Sequence, residues 1–279
     1  MSRRACVIGH PVSHSRSPLI HGYWLREHKI DGEYVREDVP PAEIDRFLDR
    51  LAEQYVGANV TIPHKEAAFA KLKHSDPVAR ALGAANTLWF ENGALSGTNT
   101  DVHGFLAHLD ASLPGWDRRT GTALVLGAGG ASRSIVYALL ERGVGSVVIV
   151  NRSKARAEAL AERFGPRVAV ADWASISKAL ATAELLVNTT SLGMKGQPPL
   201  ALDLAPLQKS ATVYDIVYVP LETPLLAAAR ARGNPVVDGL GMLLHQAVPG
   251  FERWFGVRPI VTPALRARLL ADLGERERP

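Results

Sequence analysis

The sequence predicts an α/β protein built from two domains, and three observations lead to this prediction. Short apolar runs alternate with amphipathic segments along most of the 279 residues. Near the middle of the chain, a glycine-rich turn, "GAGG", lies between an apolar run and a helical segment. The length and a hydrophobic content of 47% suffice for two ordinary cores. Such alternation is typical of mostly parallel sheets covered by helices.

The first part of the chain is predicted to form an α/β domain with a mixed, mainly parallel sheet. Strands are predicted at "ACVIG", "EYVREDV" and "GANVTIP", and helices at "SPLIHGYWLREH", "AEIDRFLDRLAEQ" and "KEAAFAKL". The segment "NTLWFENGALSGTN" predicts two short strands joined by a turn at Asn92-Gly93. A helix in "DVHGFLAHLDASL" then leads to "PGWDRRTG", whose polar, Pro- and Gly-bearing composition is interpreted as a linker.

The second part of the chain predicts a Rossmann-type, doubly wound domain. Residues 122–143, "TALVLGAGGASRSIVYALLERG", place a strand, a glycine turn and a helix in the order that a dinucleotide fingerprint requires. Ser132 stands where the third glycine usually falls. The helix start offers N–H groups to a pyrophosphate, and a tight turn without a ligand is the alternative. The candidate cofactor-binding residues of this loop are Gly127, Ala128, Gly129, Gly130 and Ala131.

The strand that follows the glycine loop favours NADP over NAD. It ends at Val150, after which NAD-binding domains usually carry an acidic residue for the ribose 2′-hydroxyl. This chain instead offers amide, hydroxyl and cationic groups, which suit a 2′-phosphate. Cations are unfavourable at the positive end of a helix dipole, so an anionic ligand explains them better than a solvated helix start. The residues concerned are Asn151, Arg152, Ser153, Lys154 and Arg156.

Composition excludes several classes of function. The net charge of +4 comes from scattered basic residues without interleaved aromatics, which favours small anionic ligands over nucleic acid. No apolar run is long enough for a signal peptide or a membrane span, and we expect a cytoplasmic protein. The single cysteine, Cys6, lies in an apolar run and excludes an intramolecular disulfide framework. His14 and His64 lack metal-ligand spacing, so we predict no metal.

Motifs along nearly the whole chain resemble those of the shikimate dehydrogenase family. They are "GHPVSHSRSPLIHG", "GANVTIPHKEAA", "GAANTL", "GTNTDVHG", "VLGAGGASRS", "NRSKARAEAL", "VNTTSLGM" and "DGLGMLLHQA". The resemblance implies reversible reduction of 3-dehydroshikimate with NADPH, on the way to the aromatic amino acids. It implies a substrate-binding domain at 1–103, an NADP-binding domain at 104–239, and C-terminal helices at 240–279 that pack on the first domain.

The resemblance also implies roles for individual residues. Lys65 is expected to be the catalytic lysine and Asp101 its partner, because the reaction needs a group that exchanges a proton with a ring oxygen. The substrate carboxylate is expected at Ser15 and Ser17. Further substrate contacts are expected at Thr61, Asn86, Asp101, Tyr218 and Gln246, and further cofactor contacts at Thr189, Ile216 and Gly239.

Plainer interpretations exist for some of these residues. Lys65 could extend from a first helical turn to water, Ser17 could be a helix N-cap, and Asn86 could be a turn residue. Other functions compatible with the motifs are a quinate/shikimate dehydrogenase of broader specificity, a non-catalytic NADPH sensor and a folate-type dehydrogenase. Relatives that favour quinate often have threonine at the position of Ser17. The protein is expected to be a monomer or homodimer whose domains close on substrate.

Overall fold

The computed structural model describes residues 3–274, which form two compact units. Unit 1 comprises the residues up to Gly104 together with Leu244–Leu269, and unit 2 comprises Phe105–Leu243 and the residues from Leu270 onwards. Each unit contains a six-stranded sheet. The predicted two-part α/β class is therefore confirmed.

The sheet of unit 1 is mixed and mainly parallel, as predicted. Its strand order is β2-β1-β3-β5-β6-β4, with β3/β5 and β5/β6 antiparallel and the other neighbours parallel. The strands are β1 (Arg3–Gly9), β2 (Gly32–Asp38), β3 (Gly57–Val60), β4 (His74–Ser75), β5 (Thr87–Glu91) and β6 (Ala94–Thr98). The first five helices are α1 (Ser17–Glu27), α2 (Ile44–Asp49), α3 (Lys65–Lys71), α4 (Pro77–Leu82) and α5 (Asp101–Ser112).

The hairpin between β5 and β6 confirms the turn expected from the sequence. Asn92 and Gly93 have φ values of 52° and 77°. Two successive residues with positive φ form the type of turn that matches the twist of paired strands. Glu91 pairs with Ala94 across it.

Two predictions in unit 1 differ from the structure. The single helix expected over 42–54 is broken, because the backbone departs from helical geometry at Arg50, whose guanidinium bonds the Glu53 carboxylate. Short 3₁₀ turns flank the remaining helix α2. Helix α4 was not predicted, although Asp76 caps it by accepting a hydrogen bond of 2.7 Å from Ala79 N and Pro77 begins it.

An aromatic core closes one face of the sheet in unit 1. Trp254 donates a hydrogen bond of 2.8 Å from Nε1 to the carbonyl of Leu88. A Cβ added at Gly57 would lie 2.1 Å from that same nitrogen, so only glycine fits beneath the indole. Trp24 makes an equivalent bond of 3.1 Å to Ile260 O. These two bonds tie the stretch Leu244–Leu269 to the sheet and to α1 of unit 1.

The sheet of unit 2 is fully parallel and confirms the predicted Rossmann-type topology. Its order is β12-β11-β10-β7-β8-β9, so the strand order reverses between β7 and β10, where sheets of this kind bind ligands. The strands are β7 (Thr122–Leu126), β8 (Ser146–Val150), β9 (Val168–Ala171), β10 (Leu185–Asn188), β11 (Thr212–Asp215) and β12 (Val236–Val237). The remaining helices are α6 (Gly130–Glu141), α7 (Lys154–Phe164), α8 (Ile176–Thr182), α9 (Pro224–Arg232), α10 (Leu240–Phe255) and α11 (Pro263–Leu273).

The segment 114–121 is packed against unit 2, so its interpretation as a linker is wrong. Trp116 is buried and donates a hydrogen bond of 2.9 Å to Asp110. Arg142 forms ion pairs with Asp110 and, at 3.3 Å, with Asp117. The composition of the segment did not indicate this packing, because most of its residues are polar and a single indole, that of Trp116, makes the buried contact. Among residues 3–274, no helix has the length and apolar character needed to cross a bilayer.

Candidate active site

Lys65 and Asp101 form a close ion pair in unit 1. Lys65 is the first residue of α3 and Asp101 the first of α5. The distance from Nζ to Oδ2 is 2.5 Å, and the side chains are 25% and 8% exposed. A charge-assisted hydrogen bond at such burial is strong. Lys65 is therefore directed at a carboxylate and does not extend into water.

Asn86 holds the second oxygen of the Asp101 carboxylate. Its Nδ2 donates to Asp101 Oδ1 at 2.8 Å. Its Oδ1 accepts hydrogen bonds from Thr100 N at 2.7 Å and from Thr87 Oγ1 at 3.0 Å. These donors fix which end of the carboxamide faces Asp101. Each carboxylate oxygen of Asp101 therefore has a side-chain partner: Lys65 at Oδ2 and Asn86 at Oδ1. Asn86 is thus more than a turn residue.

Ser15 and Ser17 place two hydroxyl groups together at the start of α1. Ser15 Oγ donates to Ser17 Oγ at 3.3 Å and accepts from Ser17 N at the same distance. The N-cap position is Arg16, so the interpretation of Ser17 as the cap is wrong: it is already the first helical residue. Arg36 donates from Nε and Nη2 to Ser15 O at 3.0 and 2.6 Å. This fork anchors the serine loop to β2.

The other predicted substrate residues are distributed over both units. Thr61 follows β3 and is held by a hydrogen bond of 2.8 Å from its N to Ile8 O. Gln246 lies on α10 in the part that belongs to unit 1, whereas Tyr218 follows β11 in unit 2. Beside Gln246, burial lowers the pKa of His245 to about 4, helped by His103, so this imidazole is neutral at pH 7. Residues 3–274 contain no grouping of three potential metal ligands.

The glycine loop after β7 has the geometry of a cofactor cradle. Gly127 has a φ of +112°, and an added Cβ would lie 2.5 Å from Thr189 Oγ1, which donates to Leu126 O at 2.6 Å. A Cβ at Gly129 or Gly130 would meet nothing within 4 Å, so the space beside these residues is open to a ligand. Ser132 donates to Gly127 O at 2.7 Å, and this bond explains how serine replaces the third glycine.

The polar cluster after β8 surrounds the start of α7. Asn151 donates to Ser153 O at 2.8 Å, and this bond shapes the loop. Arg152 and Arg156 are exposed. Lys154 lies 3.8 Å from Asp172, an acidic neighbour that the sequence did not indicate because it follows a different strand, β9. Exposed guanidinium groups at a helix N-terminus suit a phosphate ligand.

Ile216 and Gly239 meet at the carboxyl edge of the same sheet. Ile216 N donates to Asn188 O at 3.1 Å, and Gly239 N donates to Val217 O at 3.3 Å. A Cβ at Gly239 would lie 2.1 Å from Ile216 O, so the close approach requires glycine. With Thr189 beside Gly127, the predicted cofactor residues of unit 2 are arranged along one edge.

Family models match three stretches of the chain. The shikimate dehydrogenase substrate binding domain matches residues 7–88, the shikimate / quinate 5-dehydrogenase domain matches 111–195, and the shikimate 5′-dehydrogenase C-terminal domain matches 239–267. Together they cover more than half of the sequence. The chain belongs to the shikimate dehydrogenase family.

Individual relatives of known name agree with this membership. A shikimate dehydrogenase (NADP(+)) from Azorhizobium caulinodans is 62% identical over 272 residues, which is 97% of either chain. The solved shikimate 5-dehydrogenase from Thermus thermophilus, in complex with NADP(H) and shikimate, is 37% identical with a TM-score of 0.86 over 97% of this chain and 99% of that one. The quinate dehydrogenase from Corynebacterium glutamicum, in complex with NAD, is 33% identical with a TM-score of 0.90 over the same shares.

Within this shikimate dehydrogenase family member, sequence reasoning missed several polar residues around the candidate site. Asn59, Thr87 and Thr100 hold Asn86, and all three lie within or directly beside motifs that the sequence did display. Their residue types are common in strands and turns, so nothing marked them as functional. Asp215, in unit 2, was missed because a single acid at a strand end is an ordinary feature.

Asp215 is a buried carboxylate at the end of β11. It accepts hydrogen bonds from Asn188 Nδ2 at 2.9 Å, Val217 N at 3.0 Å and Thr223 Oγ1 at 2.7 Å. Burial raises its pKa to about 6, although these hydrogen bonds act in the opposite direction. The carboxylate ties the ends of two strands to the N-cap of α9, next to Ile216.

This raised pKa predicts that acidification from pH 7 to pH 5 stabilises the fold relative to an Asp215→Asn variant. The folded chain takes up a proton near pH 6, while the unfolded chain does so only near pH 4, so the folded state gains about 1 kcal/mol of stability on acidification from pH 7 to pH 5. Urea unfolding of both proteins at pH 5 and pH 7 measures the difference. Equal pH dependence of the two proteins would contradict the prediction.

Proposed function

We propose that this protein catalyses the reversible, NADPH-dependent reduction of 3-dehydroshikimate to shikimate, a step in aromatic amino acid biosynthesis. The observation that carries the proposal is the Lys65–Asp101 pair at 2.5 Å, oriented by Asn86 and accompanied in the same unit by the two serine hydroxyls. A non-catalytic NADPH sensor would need neither member of the pair. The name of the A. caulinodans relative supports both the reaction and the cofactor.

The predicted substrate residues of both units have individual roles in this reaction. Ser15 and Ser17 donate hydrogen bonds to the substrate carboxylate, and the dipole of α1 assists. Thr61, Asn86 and Gln246 bind the ring hydroxyls, and Tyr218 contacts the ring. A bound NADPH supplies the hydride. In the reduction, the ammonium of Lys65 donates a proton to the carbonyl oxygen of the substrate. In the oxidation, the deprotonated amine of Lys65 accepts a proton from the substrate hydroxyl.

Asp101 keeps Lys65 ready for this exchange. Its Oδ2 accepts from Nζ, while its Oδ1 is fixed by Asn86. The ammonium therefore has one donor position committed to the carboxylate and presents the others to the substrate. Lys65 and Asp101 are the catalytic residues of the proposal, and Asp101 also contacts substrate.

The fit of NADP rests on unit 2. The open space beside Gly129 and Gly130 accommodates a pyrophosphate over the N-terminus of α6, with Gly127, Ala128 and Ala131 completing the loop. The 2′-phosphate is bound by Arg152 and Arg156 with Asn151, Ser153 and Lys154 beside them. Thr189, Ile216 and Gly239 lie along the edge that receives the nicotinamide end.

The proposal assigns substrate binding and cofactor binding to different parts of the chain. Residues 1–103 bind substrate and residues 104–239 bind NADP. The C-terminal helices of the proposal span 240–279 and belong to the substrate-binding part through Leu244–Leu269, whereas 240–243 and 270–274 belong to unit 2 and 275–279 lie outside the described residues. A cytoplasmic location and a monomeric or homodimeric state are part of the same proposal. Cys6 is fully buried, and burial raises the pKa of its thiol well above the ordinary range.

Initial rates with each pairing of NADP⁺ or NAD⁺ with shikimate or quinate test the proposed function. We expect turnover with NADP⁺ and shikimate to exceed the other three pairings by at least about tenfold in kcat/KM, the ratio that one lost charged or hydroxyl contact commonly produces. Faster turnover of quinate with NAD⁺ would favour the broader-specificity alternative. Binding of NADPH without turnover of either substrate would favour the sensor.

A further inference from the structure

A buried pair of polar side chains joins two neighbouring strands of unit 2. Asn188 is the last residue of β10 and Asp215 the last of β11, and the two are paired in the sheet. Asn188 Nδ2 donates to Asp215 Oδ1 at 2.9 Å, and both residues are fully buried. The pair therefore lies at the base of two loops, the β10 loop (189–195) and the β11 loop (216–223).

Asn188 uses all of its hydrogen-bonding capacity to shape the β10 loop. Besides its bond to Asp215, Nδ2 donates to Leu192 O at 3.3 Å. Its Oδ1 accepts from Thr190 N at 3.0 Å and from Thr190 Oγ1 at 2.7 Å. A carboxamide has two donor and two acceptor positions, so all four are occupied. Asn188 thereby fixes the turn that contains Thr189, one of the proposed cofactor contacts.

Asp215 shapes the β11 loop in the same way. Its Oδ1 also accepts from Val217 N at 3.0 Å, and its Oδ2 accepts from Thr223 Oγ1 at 2.7 Å. Thr223 is the N-cap of α9, so the carboxylate holds both ends of the loop. Ile216 lies between Asp215 and Val217, and its N donates to Asn188 O at 3.1 Å. The backbone position of Ile216, a second proposed cofactor contact, is therefore set by the buried pair.

Two backbone contacts extend this arrangement. Lys195 N, in the β10 loop, donates to Val219 O, in the β11 loop, at 2.8 Å. Gly239, a third proposed cofactor contact, donates from its N to Val217 O at 3.3 Å. The two loops are thus bonded to each other both at their base, through the buried pair, and farther from the strands. A fully satisfied buried network of this kind favours one arrangement of the groups around it.

From this geometry we propose that Asn188 and Asp215 are positioning residues for the nicotinamide end of NADP. Both are fully buried, so they act on the cofactor through the loops that they hold and do not contact it. The pair keeps Thr189 and Ile216 at a fixed separation along the edge of the sheet. The inference rests on the proposed function, because that function assigns these two residues to the nicotinamide end.

A fragment of the cofactor distinguishes this role from a general effect on unit 2. Adenosine 2′,5′-bisphosphate carries the 2′-phosphate of NADP⁺ but no nicotinamide. Its proposed contacts, Arg152 and Arg156, follow β8, and β7 lies between β8 and β10 in the sheet. Asn188→Ala is expected to raise the Kd of NADP⁺ about tenfold and to change the Kd of the fragment less than about twofold. Isothermal titration calorimetry with each ligand measures both constants.

The same substitution should separate the kinetic constants. Poor alignment of the cofactor slows hydride transfer, so kcat of Asn188→Ala should fall about tenfold. KM for shikimate should change less than about threefold, because Tyr218 is the only proposed substrate contact that belongs to the two loops.

Variants of Asp215 test the other member of the pair. Asp215→Ala removes every acceptor and should raise the Kd of NADP⁺ about tenfold. Asp215→Asn keeps an oxygen for Asn188 and Val217 and can donate its amide to Thr223 Oγ1, so Kd should return to within about threefold of the unmodified protein. If the alanine variants do not fold, Thr190→Val removes only one hydroxyl from the network and should raise the Kd of NADP⁺ about threefold, with the Kd of the fragment unchanged.

Asn234→Ala is the matched control. Asn234 is also a buried asparagine of unit 2, but it lies before β12, at the opposite edge of the same sheet. Its Nδ2 donates to the carbonyl oxygens of Gln208, Lys209 and Ala211. Its removal costs hydrogen bonds of the same kind, which urea unfolding detects as lower stability. The Kd of NADP⁺ and kcat should nevertheless stay within about twofold of the unmodified protein.

The outcomes separate the inference from the function on which it rests. A larger rise in Kd for NADP⁺ than for the fragment, found in the variants of the buried pair and absent from Asn234→Ala, supports the inference. Equal rises for the two ligands, or a similar rise in Asn234→Ala, overturn the inference alone. Unmodified protein that binds NADP⁺ without turning over shikimate overturns the proposed function, whereas the two Kd values still decide the inference. Unmodified protein that does not bind NADP⁺ overturns both.

Discussion

Replacement of Lys65 by methionine is expected to lower kcat for shikimate oxidation by about a thousandfold, the usual scale for loss of a general acid or base, while KM changes less than about threefold. Methionine approximates the length of the side chain but has no proton to exchange. The loss falls mainly on kcat because the proton moves only in the transition state. Steady-state rates at saturating NADP⁺ with varied shikimate measure both constants.

The same helix provides a matched control for this substitution. Lys71 lies at the other end of α3 and forms an ion pair of 2.9 Å with Asp49 on the surface. Lys71→Met removes a lysine of identical length from the same helix, and exposed pairs of this kind contribute little to stability. Its kcat should match that of the unmodified protein. A Lys65→Met protein that retained more than about a tenth of kcat would remove Lys65 from the proton-transfer role.

A second consequence of this substitution concerns Asp101. Its carboxylate is only 8% exposed and would lose its cationic partner, which leaves a buried charge beside the Asn86 amide. Breaking a buried pair by removing one partner commonly destabilises a fold by about 3 kcal/mol, less where water reaches the site. Thermal unfolding should therefore accompany the kinetics, so that loss of activity is measured on folded protein.

Patterns with local causes were predicted well from the sequence. The turn at Asn92 and Gly93 and the loop at Gly127 require positive φ values, which few residue types other than glycine and asparagine adopt. The residue types at these positions therefore predict the local structure. The broken helix over 42–54 was not predictable, because its amphipathic pattern continues past Arg50, where the structure ends the helix.

In the candidate site, too, contacts between residues distant in sequence could not be predicted. Lys65, Asp101 and Asn86 came from motifs, and the structure supplied the distances between them. Tyr34 and Asn59 were predicted only as strand residues, since a tyrosine and an asparagine in strands have many uses. The hydrogen bond between their side chains spans 25 residues of sequence and exists only because β2 and β3 both pair with β1. Long-range hydrogen bonds of this kind have no signature in a single sequence.

Removal of the two guanidinium groups at the start of α7 is expected to convert the cofactor preference. The double variant Arg152→Ala/Arg156→Ala should raise KM for NADP⁺ about a hundredfold, since each charge-assisted bond to phosphate accounts for about a factor of ten. KM for NAD⁺ should change less than about threefold, because that cofactor has no 2′-phosphate. Initial rates with both cofactors at saturating shikimate measure the two constants.

The specificity of this effect is tested at the other end of the same helix. Arg163 is exposed in the last turn of α7, so Arg163→Ala removes an equal charge from unit 2 far along the helix from Arg152 and Arg156. If the double variant acted only through the net charge of the protein, Arg163→Ala would raise KM for NADP⁺ by a comparable factor per residue. Equal increases in KM for NADP⁺ and NAD⁺ in the double variant would instead indicate damage to the loop. Because the guanidinium groups are exposed and the β8 to α7 turn is held by Asn151, we expect the fold of the loop to survive the substitutions.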